Sequence, residues 1–220
     1  KNKQLHTPSF IGNEIKYLKK CIDTTYVSYV GEFVNQFEKK LCNYTKSKNV
    51  VAVNSGTSAL HLILHYLNLN KNCEVLIPSL TYVATANAVK YCDANINFID
   101  IEKETLGVCP IKLEKYLNKI CVFKKNKTIN KFTGKELRAL IVVHLYGFPA
   151  KIFQIKKICK KFNLVLIEDA AEALGSFFHS KHLGTIGDFG ILSFNGNKII
   201  TTGGGGAILC KKKNQSDFFK

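Results

Sequence analysis

Lys198 stands in the run L-S-F-N-G-N-K-I-I-T-T-G-G-G-G that spans 192–206, with Asn195-Gly196-Asn197 on one side and four glycines on the other. Turn formers on both flanks hold a lysine at a fixed place, and glycines let backbone approach a ligand closely. The acidic pair Glu168-Asp169 lies upstream, at the end of the apolar run V-L-I. A third stretch, N-S-G-T-S-A-L over 54–60, follows a short hydrophobic run and opens a helical pattern. Backbone N–H groups at such a turn bind anions, and Thr57 and Ser58 add hydroxyl donors. Read alone, the same string is equally a helix N-cap. Together these parts suit a carbonyl cofactor such as pyridoxal phosphate, which needs a fixed amine, a carboxylate on its ring nitrogen and a phosphate cradle. Asp169 would serve the ring nitrogen, although a metal-binding or capping carboxylate is the alternative. Ser193 would add a hydroxyl to the cradle. Tyr82, at the start of the helical pattern after P-S-L-T, would stack on a planar ring or pack into the core.

The elements that must position these residues are legible as alternating patterns. Strand-like runs occur at 50–53, 74–77, 96–100, 138–143, 165–168, 190–194 and 206–210. Helical patterns begin near Thr57, Tyr82, Pro110 and Ala150, between the first five runs. Strand and helix in alternation predict an α/β domain, a three-layer sandwich with a mostly parallel seven-stranded sheet, with ligands at the carboxyl ends of its strands. Helices over 13–24 and 32–44 precede the sheet, so the division expected is an N-terminal helical segment over 1–48 that packs on a cofactor-binding large domain over 49–220. The polar, lysine-rich stretch 120–135 follows neither period and reads as a long surface loop.

Composition narrows the function classes. The net charge is +16, and all but one of the 32 basic residues are lysine, Arg138 being the exception. Arginine is the usual reader of bases and phosphates, and the lysines are scattered, so the charge reads as a solvated surface and no nucleic-acid partner is expected. Eight cysteines include no C-x-x-C pair and read as buried free thiols of a reducing compartment, the cytoplasm. His61 and His65 are one helical turn apart without a third ligand, so no metal is expected. No apolar run is long enough for a membrane span. The absence of Met and the helix-like ending at 211–220 read as a fragment.

Four stretches in order, 54–61, 78–89, 167–176 and 193–206, resemble the nucleotide-sugar aminotransferases of the DegT type, of fold type I, the aspartate-aminotransferase fold. The likeness runs through almost the whole chain. The segments 7–14, 21–25 and the loop ending Thr133-Gly134-Lys135 are similar to the aminotransferases of the legionaminic-acid and bacillosamine pathways. The resemblance implies Lys198 as the Schiff-base lysine and Asp169 as partner of the pyridine nitrogen. It implies Gly56, Thr57, Ser58 and Ser193 around the phosphate, Tyr82 on the ring, and Glu172 beside cofactor and substrate, where relatives often carry Gln or His. It further implies a homodimer with a carboxyl-terminal small domain absent from this chain. The implied reaction moves an amino group from L-glutamate to the 4-keto group of a nucleotide-linked 6-deoxy sugar, with a UDP-linked 2-acetamido sugar expected. Two other readings are a cofactor-binding regulatory module without turnover and a lysine-rich nucleic-acid binder.

Overall fold

The computed structural model describes residues 7–26 and 28–220; residues 1–6 and Val27, within the segment assigned to 1–48, lie outside the described residues. The chain opens with α1 (Glu14–Asp23) and α2 (Glu32–Thr45). The sheet domain then runs β1 (Asn49–Val53), α3 (Gly56–Tyr66), β2 (Cys73–Pro78), α4 (Val83–Tyr91), β3 (Asn95–Ile99) and α5 (Pro110–Ile120). It continues through β4 (Cys121–Lys124), β5 (Lys127–Asn130), β6 (Glu136–Val143), α6 (Ile152–Lys161) and β7 (Val165–Asp169). A two-stranded ribbon of β8 (Phe177–Phe178) and β9 (Lys181–His182) leads to β10 (Phe189–Ser193), β11 (Gly206–Cys210) and α7 (Lys213–Phe219).

The main path of the sheet is β1-β11-β10-β7-β6-β2-β3. These are the seven strands that the apolar runs predict. From β3 to β10 neighbouring strands are parallel, whereas β11 is antiparallel to both β10 and β1. Buried central strands need apolar residues on both faces, and the period of two divides them between two helical layers. Val75, Ile77, Ile141 and Ile167 meet the α3 and α4 side chains Leu60, Ile63, Leu64, Ala88 and Val89. Leu76, Leu140, Val142 and Leu166 face the α5 and α6 side chains Leu113, Leu117, Ile152 and Ile155. Each fully buried side chain of this size contributes about 1.5–3 kcal/mol of transfer free energy, so the two layers supply most of what orders the sheet.

The stretch 120–135 differs from the loop expected of it. β4 and β5 form an antiparallel hairpin that joins β6 through the Ile129–Glu136 pair, which brings the sheet to nine strands. Its turn residues Lys125 and Asn126 both have positive φ, 47° and 63°, as a tight two-residue hairpin turn requires. The hairpin escapes a hydrophobicity pattern because its buried positions are polar. Thr128 donates to the Phe162 carbonyl, and Asn130 Nδ2 donates to Glu74 Oε2 at 3.0 Å. Glu74 also accepts from Asn97 and Thr133, so one buried carboxylate ties the hairpin to β2 and β3.

The closing polar stretch forms α7, whose Phe218 and Phe219 cluster with Tyr66, and Phe219 also meets Phe189. In contrast, α1 buries none of its residues, and Ile15, Leu18 and Ile22 stand in solvent. No helix among the described residues is long and apolar enough to cross a membrane. All eight cysteines are free, but only Cys73, Cys109, Cys159 and Cys210 are buried; the other four are half-buried, a correction to the expectation of buried thiols. Burial pushes the Cys159 thiol up to about 12 and those of Cys121 and Cys210 to about 11, which makes them poor nucleophiles.

Candidate active site

The carboxyl ends of the parallel strands surround a cavity of about 310 Å³. Ser55, Gly56 and Thr57 enter it after β1, Tyr82 after β2, His144 after β6, Asp169 at the end of β7, and Ser193 at the end of β10. Lys198, Glu172, Asn195 and Asn197 complete the wall. Residues from five separate segments thus meet where an open α/β sheet places its ligand.

One end of the cavity is built by the turn before α3. Ser55 caps this helix, its Oγ accepting the Ser58 N–H at 3.0 Å, so the first-turn N–H groups point toward the cavity end of the helix. The Ser58 hydroxyl is engaged with Ser55 Oγ at 2.9 Å, and Ser58 does not line the cavity. Gly56 and Gly206 are steric requirements. A Cβ on Gly56 would come within 3.1 Å of Ser193 Cβ, and one on Gly206 within 2.4 Å of the Ser55 carbonyl carbon. Both glycines therefore let β11 and β10 close on the turn that carries the donors.

Glu168 and Asp169 are adjacent on β7, so their side chains leave opposite faces of the sheet. Glu168 is structural. Its carboxylate accepts the backbone N–H groups of Gly184, Ile186 and Gly187 and pairs with His144 Nε2 at 2.9 Å. Burial acts to raise its carboxyl, but the His144 ring and the Gly187 and Gly184 N–H groups outweigh this and hold it below the ordinary range. The Ala150 N–H donates to His144 Nδ1 at 3.2 Å, which places the ring proton on Nε2, facing Glu168.

Asp169 has a different environment. Thr85 Oγ1 donates to its Oδ2 at 2.8 Å, and the Ala171 N–H to its Oδ1 at 3.2 Å. Among the described residues it forms no ion pair, although only 7% of it is exposed. Burial therefore raises its carboxyl above the ordinary range, against the lowering effects of Thr85, Ala171, Lys198 and His144. A buried carboxylate at a cavity wall without a cation is poised for a cationic N–H donor.

Lys198 Nζ lies 3.2 Å from Glu172 Oε1, and Glu172 Oε2 accepts the Tyr146 N–H at 2.9 Å. Tyr146 takes the left-handed conformation (φ 51°) in the turn Leu145–Gly147, which aims that N–H at Glu172. Tyr82, the N-cap position of α4, is 75% exposed at the mouth of the cavity. The structure thus brings together Gly56, Thr57, Tyr82, Asp169, Glu172, Ser193 and Lys198 and leaves Ser58 behind them. Sequence reasoning missed Ser55, His144, Thr85 and the two asparagines. The position of Ser55, directly before the helix in N-S-G-T-S, was the available signal for one of them. His61 and His65 pack edge-on or tilted against Tyr91 and Phe218. Among the described residues no group of three or more His, Cys, Asp or Glu is placed to hold a metal ion.

The donor set fits pyridoxal phosphate. Hydroxyls and a helix N-terminus match a phosphate, the uncompensated Asp169 matches a ring N–H, and an amine stands in the same cavity. Comparison with known proteins gives the same answer. GDP-perosamine synthase of Caulobacter vibrioides is 40% identical over 89% of this chain and 48% of its own length. A Bacillus subtilis protein, EpsN, whose name includes the words pyridoxal phosphate-dependent aminotransferase, is 40% identical over 91% of this chain and 49% of its own. The chain spans about half the length of the curated relatives it matches. A crystal structure of a DegT DnrJ EryC1 StrS aminotransferase from Brucella abortus superposes with a TM-score of 0.84 at 28% identity, covering 93% of this chain and 53% of that one. The model of the DegT/DnrJ/EryC1/StrS aminotransferase family matches residues 8–219, and the chain belongs to that family.

Proposed function

We propose that the full-length protein transfers an amino group from L-glutamate to the 4-keto group of a nucleotide-linked 4-keto-6-deoxy sugar, giving a 4-amino-4,6-dideoxy sugar nucleotide for surface glycan synthesis. The observation that carries this reading is the convergence of Lys198, Asp169 and the Ser55–Thr57–Ser193 hydroxyls on one cavity. Pyridoxal phosphate, when bound, supplies the carbonyl that takes up the amino group and the ring that accepts the electron pair left on carbon.

Each residue then has a defined task. Thr57, Ser193 and the N-terminus of α3 bind the phosphate, and Gly56 keeps that cradle open. Ser55 orders the same turn by capping the helix, with Ser58 behind it. Asp169 holds a proton on the ring nitrogen through a charge-assisted hydrogen bond. Lys198 Nζ anchors the cofactor and, once free, carries the proton from the α-carbon of the donor amino acid. Glu172 receives a hydrogen bond from Lys198 Nζ and so fixes where the amine waits. Tyr82 covers the ring and excludes water.

The large domain over 49–220, with the helical segment 1–48 against it, is completed in this reading by a carboxyl-terminal small domain and by a second copy in a homodimer. The location proposed is the cytoplasm. Two nucleotide carriers have specific support. Similarity to the legionaminic-acid and bacillosamine aminotransferases favours a UDP-linked 2-acetamido sugar, whereas the GDP-perosamine synthase relatives favour a GDP-linked one. Amine transfer from glutamate to a panel of UDP- and GDP-linked 4-keto sugars tests both. Turnover of one class assigns the carrier, and no turnover of any would leave a regulatory cofactor-binding module as the better reading.

A further inference from the structure

Asp169 does not hold its own position. Its carboxylate is at the end of β7 in the wall of the cavity, and two donors set its orientation. One is the Ala171 N–H in the same loop. The other is Thr85, a side chain from α4 that is 84 residues away in sequence and fully buried. Thr85 in turn is 2.8 Å from Thr81 Oγ1. A hydroxyl has one proton to give. An ionised Asp169 only accepts, so Thr85 must spend its proton on Oδ2 and receive that of Thr81. Thr81 sits within 3.3 Å of the Tyr82 carbonyl, an alternative acceptor for its proton. The chain can therefore reverse when Asp169 is protonated, with Thr85 accepting and Thr81 turning to that carbonyl.

We infer that Thr85, oriented by Thr81, is the positioning residue for Asp169: its buried hydroxyl fixes one carboxylate oxygen and favours the ionised form, leaving the free lone pairs directed at the cavity. The inference rests on the cofactor role proposed for Asp169, but its structural half stands without the cofactor. The charged and titratable groups that face Asp169 are Lys198 and His144, and the Thr85 hydrogen bond is the strongest single influence opposing the effect of burial. Charge-assisted hydrogen bonds from a buried hydroxyl carry about a 10- to 100-fold effect on the equilibrium they control.

The test uses the full-length protein with Thr85→Val, which keeps the shape and removes the donor, and Thr85→Ser, which keeps the donor. Thermal stability of the cofactor-free protein is measured across pH, and pyridoxal phosphate binding is measured by equilibrium titration. With T85V, the loss of stability as pH rises should be larger and extend to higher pH than in the wild type, and cofactor binding should weaken by about 10- to 100-fold. T85S should restore both. A T85V protein whose stability falls by the same amount at every pH overturns the inference, because packing alone would do that. So does a T85S protein that behaves like T85V. A wild type that binds no pyridoxal phosphate, yet shows the pH displacement between wild type and T85V, would retain the Thr85–Asp169 coupling and remove the aminotransferase reading.

Discussion

Asp169→Asn should make the cofactor-free protein more stable and the cofactor-bound protein much less active. In the cofactor-free protein Asp169 is a buried carboxylate whose partners are one hydroxyl, one backbone N–H and no cation within ion-pair distance among the described residues. An asparagine keeps an oxygen for the Ala171 N–H. Its amide can donate to Thr85 Oγ1, which can turn its own proton toward Thr81. The substitution thus removes a poorly compensated buried charge and leaves no polar atom unpaired. That is worth on the order of 1–3 kcal/mol, or roughly 2–10 °C in Tm for a chain of this size. The gain must depend on pH. Asp169 has its carboxyl raised from 3.8, so the native state binds the proton more tightly than the unfolded chain. Its contribution is fully present below the unfolded value and is lost as pH rises through the folded one. The two proteins should therefore melt close together near pH 4, with the Asn variant pulling ahead as pH rises. With cofactor bound the order reverses in function, because a neutral amide cannot hold the ring nitrogen protonated, and the half-reaction with glutamate should slow by orders of magnitude. Scanning calorimetry of the cofactor-free variants from pH 4 to 8, with single-turnover rates on the loaded ones, reads both. An Asn variant that is less stable at neutral pH, or a gain that does not change with pH, would refute the electrostatic argument.

Burial lowers the imidazole of His182, which is 1% exposed, so it contributes stability above the unfolded value of 6.5 that is lost as pH falls below it; a His182→Gln variant should flatten that part of the pH–Tm curve. Gly206→Ala forces a Cβ to within 2.4 Å of the backbone at Ser55, which cannot move without opening the α3 turn, so it should cost about 1–3 kcal/mol in a denaturant melt and weaken cofactor binding. Thr128→Val leaves the Phe162 carbonyl without its buried donor and should cost about 1–3 kcal/mol by the same melt, where an unchanged midpoint would mean that the hairpin does not depend on it. Glu172→Gln keeps an acceptor for the Tyr146 N–H and loses a partly exposed ion pair with Lys198, so its melting temperature should move by less than about 4 °C.

What the sequence disclosed and what it hid follow from how each part is stabilised. The central strands of the sheet are apolar on both faces, because helices cover both, and such runs are visible without any structure. β4 and β5 were invisible because Thr128 and Asn130 are buried as hydrogen-bonded polar residues, which no hydrophobic period registers. At the site, Lys198, Asp169, Thr57 and Ser193 stood out through turn and strand-end chemistry, and Gly56 through the resemblance to the family. His144 and Thr85 did not, since their meaning lies in partners 24 and 84 residues away. Glu168 and Asp169 looked alike as a pair, and only the pleat of β7 separates the structural carboxylate from the one that faces the cavity.

The central claim, that Lys198 is the amine that takes up pyridoxal phosphate, is tested most directly by borohydride reduction of the full-length protein with bound cofactor, followed by peptide mapping. The account predicts one reduced adduct, on the peptide that contains Lys198. An adduct on a different lysine, or none at all, would contradict it.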